Sequence, residues 1–226
     1  RYWRLEDGRV TAGGFNSNQG VGARMARGAE VAFAYSADMR PAALSLLSDT
    51  VRALARHGGD HAPVAITLGE APGHHGLYRV LDPVADADAT RWIALLDRVD
   101  RLARAVDPRI VRVDAHLSAS EHVVLIADLD GRLGADVRPM VQLRFNLVAE
   151  QNGRRAQGFG GLGGRHDLSD WDDGMVAGAV ARAAGMALVN LDARPAPSGT
   201  FPIVLAPGYP GVLFHEAVGH GLEGDH

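Results

Sequence analysis

The sequence predicts an α+β fold on two observations. Runs rich in β-branched residues are separated by Asp-Gly and Asn-Gly pairs, and apolar stripes of helical period lie among them. Hairpin pairs join neighbouring strands without crossover helices, so the central sheet is read as antiparallel. With 226 residues, 46% hydrophobic and 22% charged, the chain has enough apolar content for one large domain or two small ones.

From Tyr2 to Thr11, apolar and polar residues alternate around Asp7-Gly8, which predicts a hairpin. Val21 to Met25 and Val31 to Tyr35 repeat that pattern around Arg27-Gly28, giving a small N-terminal sheet. Pro41 suits a first helical position, where its missing N–H costs nothing, and Leu44, Leu47, Val51 and Leu54 supply the apolar face of a helix toward Arg56. Residues 1–57 are thus expected to form an N-terminal α/β segment. Gly58-Gly59, Pro63, Pro72-Gly73 and Pro83 interrupt any periodicity through 58–86, which is read as a connection between two lobes.

A central α+β domain is expected over 87–193. Trp92, Leu95, Leu96, Val99, Leu102 and Val106 stripe a helix from Ala89 to Val106, closed by Asp107-Pro108. Ile110 to Leu117, His122 to Asp128, Leu133 to Val137 and Val141 to Ala149 then read as strands of a sheet of four or five, with Asp130-Gly131 and Asn152-Gly153 as turns. Asp173 to Leu191 is alanine-rich and helical, although Gly174, Gly178 and Gly185 weaken it. A stiff linker, Arg194 to Gly199, opens a third segment over 194–226. There Phe201 to Leu205 reads as a buried strand, and Pro210 starts a helix whose Val212, Leu213, Phe214, Ala217, Val218 and Leu222 are apolar on most sides. A helix that apolar is expected inside a protein.

Composition removes several classes of function. Net charge is -4, the chain contains no lysine, and its arginines are interspersed with acidic residues rather than clustered, so nothing resembles a phosphate-binding face. No nucleic acid is expected as partner. With no cysteine, disulfides and thiolate ligands are excluded within the chain, leaving metal binding to histidine and carboxylate. No uninterrupted apolar run long enough to span a bilayer and no leader-like start are seen, so the expectation is no membrane and a cytoplasmic location. The start at Arg1 and the end at His226 read as those of a piece of a longer protein.

The residues that can carry chemistry are His215, Glu216 and His220 in HEAVGH. In the HExxH pattern, histidines four apart lie about 40° apart around a helix and share one zinc ion, with the glutamate as general base. Here the spacing is HExxxH. Five residues of regular α-helix turn by about 500°, which leaves the two imidazoles about 140° apart. The helix must therefore depart from regularity, and Gly219 and Gly221 beside His220 suggest a wider, π-type turn or local unwinding there. Glu223, three residues past His220, is open to three readings: a partner behind the ligand, a ligand, or a cap for the turn at Gly224.

Other motifs have plainer readings. Gly158, Gly160 and Gly163 satisfy G-x-G-x-x-G, but the polar Arg165 to Asp170 follows where a dinucleotide loop would need a helix, so a glycine-rich strand edge is preferred. His74-His75 reads as solvated, and His116 and His122 as half-buried strand histidines. Asp130, Asp136 and Arg138 are assigned to turns and surface pairs, and Arg91, Asp97, Arg98 and Asp100 to a solvated helix face.

The motif extends beyond HEAVGH. Gly208, Pro210, Gly211, Val212 and Leu213 before it, and Gly221-Leu222-Glu223-Gly224-Asp225 after it, resemble the signature of the TldD/PmbA family of metallopeptidases. Asn18 to Gly22 with Arg24, Phe33-Ala34-Tyr35, Ala135 to Pro139, Gly160 to Arg165 and Met186 to Leu191 are similar to the same family's TldD branch. The resemblance implies a zinc peptidase acting on unfolded peptides, with His215 and His220 as metal ligands, Glu216 as base, and a PmbA/TldE-type paralogous subunit lacking the motif as partner. It also implies a further ligand from a downstream cysteine, so this chain alone is not expected to complete the site. Two rivals stand beside that reading. One is a non-catalytic peptide-binding scaffold of the same family, which an intact HExxxH argues against; the other is a regulator of a DNA-bound enzyme, suggested by an older gyrase-modulator label for the family, which the charge pattern does not support.

Overall fold

A computed structural model describes residues 1–27, 30–55, 67, 69, 76–79, 82–85 and 88–224. The turn at Gly28, most of the 58–86 connection, His74-His75 and His226 lie outside the described residues. Two compact units are present, Arg1–Asp192 and Ala193–His226.

The first unit is built on one antiparallel sheet. Strands β1 (Tyr2–Glu6), β2 (Arg9–Gly14), β5 (Ile110–Ala127), β6 (Leu133–Gln151) and β7 (Arg154–Gly164) stand in the order β2-β1-β5-β6-β7. The turns read from sequence are where the chemistry puts them: Asp7 and Gly8, then Asn152 and Gly153, all take positive φ, the two-residue conformation that Asp-Gly and Asn-Gly adopt most readily. Gly131 (φ 79) turns the third hairpin. A second sheet holds only β3 (Val21–Arg27) and β4 (Glu30–Ser36), on which helix α1 (Pro41–Leu54) packs with Leu47 and Val51 buried.

The first hairpin does not belong to the small sheet; β1 pairs with β5, from Tyr2 with Ser118 to Glu6 with Asp114. Its inward face explains the attachment, because Leu5 is fully buried and the rings of Trp3 and Trp92 lie 4.9 Å apart. Arg104 then donates to Asp7 at the hairpin turn (2.8 Å) and to Asp100 (3.2 Å), tying the turn to helix α2 (Ala89–Val106). Asp100 is therefore buried and paired rather than part of a solvated face. The four central strand segments are likewise two long strands, β5 and β6, whose pairing continues from Ile110 with Ala149 to Ala127 with Leu133. Polar residues at mid-strand suggested breaks, but in an antiparallel sheet with one open face they simply point outward.

Helices α2 and α3 (Asp173–Asp192) cover one face of this sheet. Trp92, Leu96, Val99 and Ala103 from α2 and Val176, Val180, Ala183, Ala184 and Ala187 from α3 meet Val113, Leu117, Val141, Leu143 and Leu147 from the strands. Asp88 caps α2 by accepting from the Thr90 N–H (2.9 Å), and Asp172 accepts from Met175 at the start of α3 (2.8 Å). By length and composition α3 could cross a membrane, yet here its apolar stripe is spent on the sheet.

The glycine run of β7 has a packing explanation. A Cβ on Gly158 would lie 1.9 Å from the Ala183 carbonyl oxygen and 2.7 Å from the Ala187 nitrogen, so α3 reaches this close only because the strand has no side chain there and the helix carries only small alanines. The G-x-G-x-x-G spacing is thus an edge strand fitted to an alanine-rich helix. Gly158→Ala is expected to cost about 2–3 kcal/mol and lower Tm by about 5–10 °C. Gly185→Ala, where nothing lies within 4 Å of the added methyl, is expected to raise Tm by a few degrees. Calorimetry on the two variants checks this, and an equal response at both positions would contradict it.

Candidate metal centre

The second unit runs from Ala193 to His226. Phe201 to Leu205 forms no strand, and Val204 is 96% exposed, against the expectation of a buried strand. The helix after Pro210 is exposed too, with Leu213 and Phe214 each more than half exposed.

Its internal geometry carries the departure that the HExxxH spacing requires. Helix α4 (Gly211–Phe214) opens behind Pro210, widens into a π-type turn over His215–Gly219, and tightens into a 3₁₀ turn over His220–Leu222. The hydrogen bond that defines the widening joins the two histidines themselves, for the His220 backbone N–H donates to the His215 carbonyl. One residue more than an α-helical turn is thereby enclosed, and His220 returns to the side of His215. Their ring centroids lie 4.6 Å apart with planes at 75°. Gly219 is not needed for space or for backbone freedom. Its φ of -59° is ordinary, and a Cβ there would meet the His215 ring at 3.7–3.8 Å, a normal contact.

One ligand atom each from His215, Glu216 and His220 falls within 4.8 Å of the others, and all three residues are exposed. The Glu216 carboxylate lies 3.1 Å from His220 Nε2, while Glu223 Oε1 lies 2.7 Å from His220 Nδ1. Of the three readings of Glu223 the structure has it behind the imidazole, fixing the ring and leaving Nε2 toward Glu216 and His215. Two imidazole nitrogens and a carboxylate, with a second carboxylate behind one of them, suit a divalent ion that takes nitrogen and oxygen ligands.

The other candidates are dispersed through the first unit. His116 stacks on Tyr2 at 5.7 Å, Arg138 pairs with Asp136 at 2.7 Å, and Arg132 with Asp130 at 3.2 Å. Tyr78 donates to Asp136 (2.6 Å), a link between the connection and β6 that no local signal in the sequence announces. Among the described residues, His215, Glu216 and His220 are the group able to share an ion.

An α+β scaffold is followed by a His-Glu-His cluster on a widened turn that could hold a metal ion, built from residue types that metallopeptidases use. The chain belongs to the PmbA/TldD metallopeptidase family, and residues 82–191 match the PmbA/TldA metallopeptidase central domain. It is 41% identical over 231 residues to the metalloprotease TldD homolog of Haemophilus influenzae, covering 99% of this chain and 47% of that protein. The TldD homolog of Buchnera aphidicola from Schizaphis graminum is 34% identical over 230 residues, again with 99% and 47% covered. The chain thus spans about half the length of the curated relatives it matches. A Thermotoga maritima protein described as a candidate modulator of a DNA gyrase shares the fold at a TM-score of 0.62 and 13% identity, over 88% of this chain and 44% of that one. TldE from Thermococcus kodakarensis shares it at 0.55 and 15% identity, over 81% and 40%.

If Glu223 fixes the imidazole, Glu223→Ala in the intact protein lowers zinc affinity by about 10–100-fold, read by competition with a chelating dye. Unchanged affinity would assign Glu223 to the surface instead.

Proposed function

We propose that the intact protein is a zinc-dependent metallopeptidase that hydrolyses unfolded peptides or small proteins, working in the cytoplasm with a PmbA/TldE-type paralogous subunit. Residues 194–226 are read as the opening of the metallopeptidase domain, and the division into 1–57, 58–86 and 87–193 as the modules preceding it. The observation that carries this reading is the π-type turn, which gathers His215, Glu216 and His220 within ligand distance of one another.

Each residue then has a role that follows from its geometry. His215 and His220 are the ligands this chain supplies, and Glu223 holds His220 through Nδ1 so that Nε2 keeps a lone pair for the ion. Zinc bound there would supply Lewis acidity, polarising a peptide carbonyl and easing the ionisation of water. Glu216 sits next to that position, accepts the proton of the attacking water, and returns it to the departing amine. Main-chain pairing at a sheet edge would let an extended chain be recognised with little regard to its sequence.

Glu216→Gln tests the assignment because the amide cannot accept the proton, and the substitution leaves both histidines in place. Peptide hydrolysis by the intact protein with its paralogue is expected to fall by about 10²–10⁴-fold, while elemental analysis still finds zinc. Full activity in that variant, or a protein that never carries metal, would remove the catalytic reading and leave the peptide-binding scaffold.

A further inference from the structure

The face of the central sheet opposite α2 and α3 carries a trough of ≈ 570 Å³ that the metal centre does not use. It lies across the middle of β5, β6 and β7, with Asp114, His116, Gln142, Arg144, Asn146 and Phe159 on its sides. Gly161 and Gly163 form the floor at the β7 end, where no side chain rises above the backbone.

Strand register sets an unusual row across this face. Arg4 on β1 stands opposite His116 on β5, His116 opposite Arg144 on β6, and Arg144 opposite Gly161 on β7. Like-charged neighbours at directly paired positions destabilise a sheet, so such a row calls for counter-charge. Arg4 has its own, since its guanidinium donates to both oxygens of Asp114. Arg144 has none: among the described residues it forms no ion pair, and its neighbours on the same face of β6 are the neutral amides of Gln142 and Asn146. His116, half-buried and stacked on Tyr2, is made less basic by burial first and then by Arg144 and Arg4, with Asp114 opposing. Glu6, the remaining acidic residue on this side of β1, is engaged by Arg112. Phe159 stands beside Gly161 with 68% of its surface exposed.

A guanidinium with no ion pair among the described residues, an imidazole, two amide donors, a bare glycine floor and one exposed ring make a consistent recognition set, the Asp114 carboxylate beside them being engaged by Arg4. We propose that this trough binds a carboxylate carried on an apolar group. The carboxylate lies against Arg144 and His116 with Gln142 and Asn146 donating, and the apolar part covers Phe159 and the Gly161–Gly163 floor. That chemistry is shared by the C-terminus of a peptide ending in an apolar residue and by a free aromatic or aliphatic acid.

Binding is followed in the intact protein through the His116 ring signals and the Gly161 amide, using benzoate, acetate, and the tripeptide Ala-Ala-Phe as free acid and as amide. A saturable shift of both probes by benzoate is expected, with affinity weakened about tenfold or more in Arg144→Gln. Phe159→Ala is expected to weaken benzoate and leave acetate unchanged, a split that a general loss of fold would not give. Stronger binding of the tripeptide acid than of benzoate assigns the trough to chain ends, and the reverse assigns it to free acids. Equal binding of tripeptide acid and amide, or shifts that survive Arg144→Gln, would overturn the proposal.

Discussion

One backbone hydrogen bond, from the His220 N–H to the His215 carbonyl, governs what HEAVGH can do. With the α-helical partner one residue nearer, the two imidazoles would point to different sides of the helix and no single ion could reach both. The wider loop costs helical regularity and gives poorer stacking of successive turns, which is why π turns are rare and concentrate at functional positions. In this chain the adjustment is local. It begins after the four residues of α4 and ends in a 3₁₀ turn, so three helical geometries follow one another within twelve residues, 211–222.

Carboxylates then define how the ring nitrogens are used. Glu223 engages Nδ1 of His220 and Glu216 stands at Nε2, so the same imidazole is oriented from behind and met from the front. The 2.7 Å contact to Glu223 restrains rotation of the His220 ring. The preceding unit solves a different problem. Its sheet is covered on one face by two helices, one of them fitted against bare glycine backbone, and its opposite face carries polar residues such as His116, Gln142, Arg144 and Asn146.

Much of this was legible in the chain. The Asp7-Gly8 and Asn152-Gly153 turns, the stripes of α2 and α3, and the need for an irregular turn in HExxxH all follow from local chemistry, and each has its counterpart in the structure. What could not be read was settled at long range. The pairing of β1 with β5 rests on Leu5, on Trp3 against Trp92 and on Arg104 reaching Asp7, contacts between residues about a hundred positions apart. Gly219 was given a conformational role that its ordinary φ does not require, because a π turn keeps helical backbone angles and merely shifts the hydrogen-bond partner. The apolar helix in 194–226, expected inside a protein, is exposed in this chain, which spans about half the length of its relatives.

X-ray absorption at the zinc edge tests the central claim most directly, since it counts the imidazoles bound to the ion in the intact protein. Two histidine ligands are expected in the wild type and one in His220→Ala. A wild-type spectrum with a single imidazole, or one that His220→Ala leaves unaltered, would contradict the gathering of His215 and His220 about one ion.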